Sequence, residues 1–263
     1  MNTSTSVPKI HVRYKRFDKE QRDIWESFCL IDFYTPKIKD AVQNDVFPQL
    51  SFERIYDGTS KTVKKVDIYG ALQSLSVRGN YRRTLLEAVL TFEDYITDLI
   101  RIVYLDRPTL LSSGQNDSSN PSGYQKLLKL ILTSSDKQEI VDKLVEEKIR
   151  SIFYGNPLDI FEKDKAKLNL GSYFKDNHSE ELKTYRKVVA VRNIIAHNNG
   201  KIDRKFIREV DSNLELGKKF IIDRDFLREA TSTLLMLATQ TTRLVIEKMY
   251  NTNINGRLAR AAR

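Results

Sequence analysis

Between Asn80 and Tyr104 the apolar residues Leu85, Leu86, Val89, Phe92, Ile96, Leu99, Ile100 and Val103 return at steps of three and four, the spacing that gathers side chains on one helical face. The stripe runs for about five turns, and Pro108 ends it. More helices are predicted downstream. Tyr124 to Leu132 reads as a short apolar one. Ser134-Ser135-Asp136 offers a cap for another, carrying Ile140, Val141, Leu144, Val145, Ile149, Ile152 and Phe153. Leu158, Ile160 and Phe161 add one or two turns after Pro157. Asp223 or Asp225 caps a last long helix through Leu227, Ala230, Leu234, Leu235, Ala238, Leu244, Val245 and Met249. The predicted class is mainly α, with residues 76–252 as one helical bundle.

The first 75 residues read differently, as a small extension of α+β character. Residues 1–9 form a loose end, and Ile10, Val12 and Tyr14 then alternate with His11, Arg13 and Lys15 as a half-buried strand would. Asp18 is a candidate cap for a segment carrying Ile24, Trp25, Phe28, Leu30 and Ile31, which Pro36 should end or bend. Asp57-Gly58, between Phe52–Tyr56 and Val63–Tyr69, predicts a hairpin, because such a pair supplies the positive φ of a tight turn. Ser112 to Gly123, rich in Ser, Gly, Asn and Pro, is a flexible connection. Residues 253–263, with Arg257, Arg260 and Arg263, read as a disordered basic tail.

Lysine and arginine number 44 against 35 acidic residues, a net charge of +9, which favours a polyanionic partner such as nucleic acid. The single cysteine, Cys29, excludes an internal disulfide, sits in an apolar context that suggests core, and fits a reducing cytoplasm. Three scattered histidines and one cysteine do not have the spacing of a zinc site, so no metal is expected. P-loop, dinucleotide-binding and serine-elbow motifs are all missing, and no cofactor is expected. The polar N-terminus lacks a signal-like apolar region, and no apolar run reaches about 18 residues, so neither export nor membrane insertion is predicted.

Chemistry concentrates in Val191-Arg192-Asn193-Ile194-Ile195-Ala196-His197-Asn198-Asn199-Gly200. Asn177 with Glu180 resembles a capping box that opens a helix running to His197. Val188, Val189, Val191, Ile194 and Ile195 form its buried face, which leaves Arg192, Asn193 and His197 off that face, and Asn-Asn-Gly is a stop signal. Arginine presents a permanent planar fork suited to two phosphate oxygens, while histidine exchanges protons near neutral pH. On one helix Arg192 and His197 stand roughly 7.5 Å apart along the axis and about 140° apart around it. They cannot comfortably share one phosphate, but a two-fold pairing with a second copy would bring each pair near its counterpart and make a composite site. Beyond the stop, Asn198, Lys201, Arg204 and Lys205, with Arg208 following, are candidates for gripping an RNA backbone. Lys163, Lys165 and Lys167 could do the same or be solvated, and Glu87, Glu93, Asp94 and Asp98 could orient the site or only face water.

Arg192-x4-His197, with Asn193 directly after the arginine, resembles the R-x4-6-H signature of the HEPN superfamily. Tyr81–Tyr104 is similar to that family's first long helix, Ser134–Tyr154 to an inner helix, and Tyr154-Gly155-Asn156-Pro157 to the turn after it in one bacterial branch. Related sequences often carry a second glycine where this chain has Asn199. The resemblance covers roughly residues 76–252 and implies a HEPN-like helical homodimer that cuts RNA without metal. Arg192, Asn193 and His197 would be its catalytic residues. It also implies a toxin or phage-defence effector in the cytoplasm, with a cognate inhibitor or antitoxin as partner. The alternative is a HEPN-like dimerisation module that binds RNA or a partner and does no chemistry.

Overall fold

A computed structural model describes residues 6–46, 49–112, 134, 136–210 and 213–262. The chain is mainly helical: α1 (Ser6–Gln43), β1 (Ser51–Glu53), β2 (Ser60–Thr62), α2 (Lys65–Ser74), α3 (Asn80–Asp106), α4 (Thr109–Ser112), α5 (Lys137–Phe153), α6 (Asp159–Glu162), α7 (Tyr173–Asn177), α8 (Ser179–Asn198), α9 (Arg204–Val210), α10 (Arg224–Leu244) and α11 (Gly256–Ala261). A π-helical turn, Leu75–Gly79, leads into α3, and another, Val245–Met249, follows α10. The described residues divide into two compact units, one within 1–18, 91–186 and 233–263, the other within 19–90 and 187–232. These boundaries fall inside α1, α3, α8 and α10, so neither unit is a contiguous stretch.

The first unit corrects the expected N-terminal strand. Ile10, Tyr14 and Phe17 are buried on one helical face of α1, while Val12, the residue that suggested alternation, is 70% exposed. Phe17 stacks on Tyr95 with ring centroids 4.5 Å apart, and the Tyr14 hydroxyl meets Thr239 Oγ1 at 2.8 Å. Phe161 packs edge-on against Phe174 and Tyr185 at 5.2 and 5.6 Å, which makes it an aromatic hub of this core. Asp18 does not cap a helix: it is buried within α1 and pairs with Arg257 of α11. That ion pair and the burial of Leu258 order the segment expected to be a loose tail. The expected cap of α5 forms, since Asp136 Oδ1 accepts from the Glu139 amide at 2.9 Å. The helix expected over Tyr124–Leu132, and the connection from residue 113, lie outside the described residues.

His11, on α1, has its Nε2 buried without a hydrogen-bond partner among the described residues, and burial lowers its pKa below the ordinary 6.5. The folded chain therefore holds the imidazole neutral where the unfolded chain binds a proton. Its contribution to stability is complete above pH 6.5 and is lost as pH falls from there towards the lowered folded value. Denaturant melts across that range should show the wild type losing more stability than His11→Gln. Equal losses would contradict this.

Within the second unit, α1 continues through Pro36 instead of ending there. Phe28, Thr35 and Val42, buried at seven-residue steps, hold the helix on both sides of the proline, so packing outweighs the missing amide donor. Buried side chains tie α1 to α3 here: Asn80 Nδ2 donates to the Phe28 carbonyl at 3.1 Å, and Gln21 Nε2 to that of Ala88 at 2.8 Å. The expected hairpin forms but is shorter, pairing Ser51 with Thr62 and Glu53 with Ser60 around Gly58 at φ 66°. Its strands are exposed throughout, so nothing rewards their extension, and the residues from Lys65 coil into α2. Among the described residues, no helix is long and apolar enough to cross a membrane.

Candidate functional site

The helix that carries the motif, α8, starts later than its expected capping box. Asn177 instead closes α7, its Nδ2 donating to the Tyr173 carbonyl at 2.9 Å, and the first backbone bond of α8 runs from Leu182 N to His178 O at 3.0 Å. Further along, Val188, Val189, Ala190 and Val191 are all buried, so the helix is enclosed on every side over that turn. It opens to the surface afterwards. Arg192 and Asn193 are half-buried, Ile194 is buried, and Ala196 and His197 are exposed. At about 100° per residue the open arc reads Arg192, Ala196, Asn193, His197, with the one-carbon side chain of Ala196 between the functional groups.

Within that arc Arg192 Nη1 donates to Asn193 Oδ1 at 3.0 Å, which holds the guanidinium beside its neighbour. Among the described residues no side chain hydrogen-bonds to the His197 imidazole. Asn199 and Gly200 then take the left-handed conformation, at φ 50° and 76°, and the Gly200 amide donates back to the Ile194 carbonyl at 2.8 Å. Glycine suits position 200 because the positive φ strains any L side chain, and a Cβ there would stand 2.5 Å from Arg82 Nη2 and displace that guanidinium. The loop beyond is braced by residues 217–220, through Phe220 N to Gly200 O at 2.9 Å and Ile202 N to Lys218 O at 2.9 Å.

The expected RNA-binding residues follow this brace. Asn198 spends its Nδ2 on the Lys201 carbonyl at 2.8 Å, so part of it serves the turn. Lys201, Arg204 and Lys205 are exposed. Asp203 Oδ1 caps α9 by accepting from Phe206 N at 2.7 Å, and the buried Phe206 packs on Phe220 at 5.6 Å, which leaves Arg204 and Lys205 on the outer side. Lys205 Nζ lies 3.7 Å from Glu209 Oε1, an exposed pair of the kind worth little.

Other candidates serve the fold. Lys165 Nζ donates to the carbonyls of Ile152 and Tyr154 at 3.0 and 2.9 Å, at the end of α5, and Lys163 pairs with Asp159 at 2.9 Å. Asp98 is held by Arg13 and Arg101, each at 2.6 Å. His178 belongs to the first unit, where its Nε2 meets the Tyr173 hydroxyl at 3.3 Å. Cys29 is half-buried, with Arg224 Nη2 3.8 Å from its sulfur. Among the described residues, no three His, Cys, Asp or Glu side chains gather as a metal-ligand set.

One residue escaped the sequence reading. Arg82, in the first turn of α3, donates from Nη1 to Asn199 Oδ1 at 3.1 Å and from Nη2 to the Asn199 carbonyl at 3.3 Å. The only hint of it was a basic pair, Arg82-Arg83, opposite no obvious acid. No family model, curated protein or solved structure matches the chain.

Proposed function

We propose that this chain is a metal-independent endoribonuclease of the HEPN type, acting as a homodimer with Arg192, Asn193 and His197 at a composite site. The observation that carries the reading is the exposed arc of α8. A helix enclosed on all sides at Val188–Val191 opens from the next residue, with Arg192 and Asn193 half-buried and His197 exposed on one arc that holds only Ala196 besides.

RNA brings its own nucleophile. The 2′-hydroxyl attacks the adjacent phosphorus while a base takes its proton, and the bond to the 5′-oxygen breaks as an acid protonates that leaving oxygen. Two proton transfers are needed, and one His197 can carry both in turn, taking the proton of the 2′-hydroxyl and returning it to the leaving 5′-oxygen. Pairing two copies of α8 about a two-fold axis would set the Arg192 of one copy beside the His197 of the other, and the small Ala196 lets the helices approach. Arg192, pre-oriented by Asn193, places two donors on the nonbridging oxygens whose charge grows in the phosphorane. Exposed Lys201, Arg204 and Lys205 hold the flanking phosphates.

Mixing two inactive chains tests this. Arg192→Ala retains His197, and His197→Ala retains Arg192. A mixed dimer whose site draws arginine from one copy and histidine from the other regains one working pair, so activity absent from both parents should return. Light scattering should give the mass of two 30.6 kDa chains. A fully active monomer, or mixtures as dead as their parents, would contradict the composite site.

A further inference from the structure

We infer that Arg82 is the positioning residue of this site, fixing the turn that follows His197 and with it the last turn of α8. The inference rests on the ribonuclease reading for its kinetic part only. A planar fork reaches two acceptors of a single residue, the side-chain oxygen and the carbonyl of Asn199, at 3.1 and 3.3 Å. That residue lies two places after His197 and adopts φ 50°, in the left-handed region. The same guanidinium lies against Gly200, where a Cβ would come within 2.5 Å of Nη2. Side chain and turn are thus fitted to each other from positions 117 apart in the sequence.

Charge separates this contact from an ordinary surface ion pair. Among the described residues Arg82 has no carboxylate partner, and both its acceptors are neutral oxygens. Asn199 combines two tasks that glycine could not. It tolerates the left-handed conformation, and it presents the oxygen that Arg82 grips. Arg82 therefore acts through Asn199 and not on the substrate, and the two residues should behave as one unit.

The test is a double-substitution cycle on the full chain with Arg82→Ala, Asn199→Gly and both together. Asn199→Gly keeps the positive φ and removes the oxygen. Arg82→Ala should speed hydrogen exchange of the Gly200 and Lys201 amides by about tenfold or more. It should lower kcat on a defined oligoribonucleotide by about 10- to 100-fold, with KM within about twofold, as misplacement of a reacting group does. The double variant should be no worse than Arg82→Ala alone, because the second change finds nothing left to break. Arg82→Lys, which can reach one acceptor but not both, should fall between wild type and alanine, and it carries the test if the alanine variant does not fold. Unchanged exchange, additive losses, or a raised KM at wild-type kcat would each overturn the inference. If the wild type cuts no RNA, the ribonuclease reading fails, and the exchange measurements alone still decide whether Arg82 holds the turn.

Discussion

Replacing His197 by alanine should lower the rate of RNA cleavage by about 10²–10⁴-fold, the usual worth of a positioned proton carrier, with little change in RNA affinity. Affinity should survive because it comes from a distributed basic surface, here Lys201, Arg204 and Lys205, and His197 is an exposed side chain among several cations. Arg192→Ala should differ in kind. It removes a charge-assisted fork whose hydrogen bonds contribute about 1.5–3 kcal/mol each, so binding and turnover should both fall. It also leaves Asn193 without the donor it accepts from at 3.0 Å. Fluorescence anisotropy at fixed salt, beside cleavage rates, separates the two effects. A His197→Ala chain that cuts at the wild-type rate would make His197 an ordinary helix-end residue. The chain would then be better read as a binding module.

What the sequence disclosed depended on how local the cause was. The stripe from Leu85 to Val103 was legible because one face of α3 is buried along its whole length, and periodicity reports that directly. Ile10, Val12 and Tyr14 misled because an apolar residue two places from the next mimics a strand. The helical partner that decides the matter is Phe17, which is buried against Tyr95. The order of Gly256–Ala261 could not be read locally at all, since it comes from Arg257 meeting Asp18 across the length of the chain.

The motif shows the same division. Its helix, its stop and the outward placement of Arg192, Asn193 and His197 follow from α8 itself, whereas the capping box at Asn177 failed because α7 intervenes and uses that side chain for its own end. Arg82 was invisible because its reason is Asn199, and no spacing rule connects them. Asn199 combines a positive φ and a held guanidinium in one residue.

The second large effect concerns the substrate's own hydroxyl. The proposed reaction takes its nucleophile from the substrate, so it stands or falls with the 2′-hydroxyl. An all-deoxy copy of a cleaved oligonucleotide should remain intact, and one deoxy nucleotide at the cleaved position should block that position alone while its neighbours are still cut. The loss should be complete, since no other group in the arc can replace the missing oxygen.

The most direct measurement is incubation of the purified chain with RNA in excess EDTA, followed by analysis of the product ends. The account predicts undiminished cleavage that leaves a 2′,3′-cyclic phosphate on one fragment and a 5′-hydroxyl on the other. Activity abolished by EDTA and restored by magnesium, or products ending in a 3′-hydroxyl and a 5′-phosphate, would contradict it.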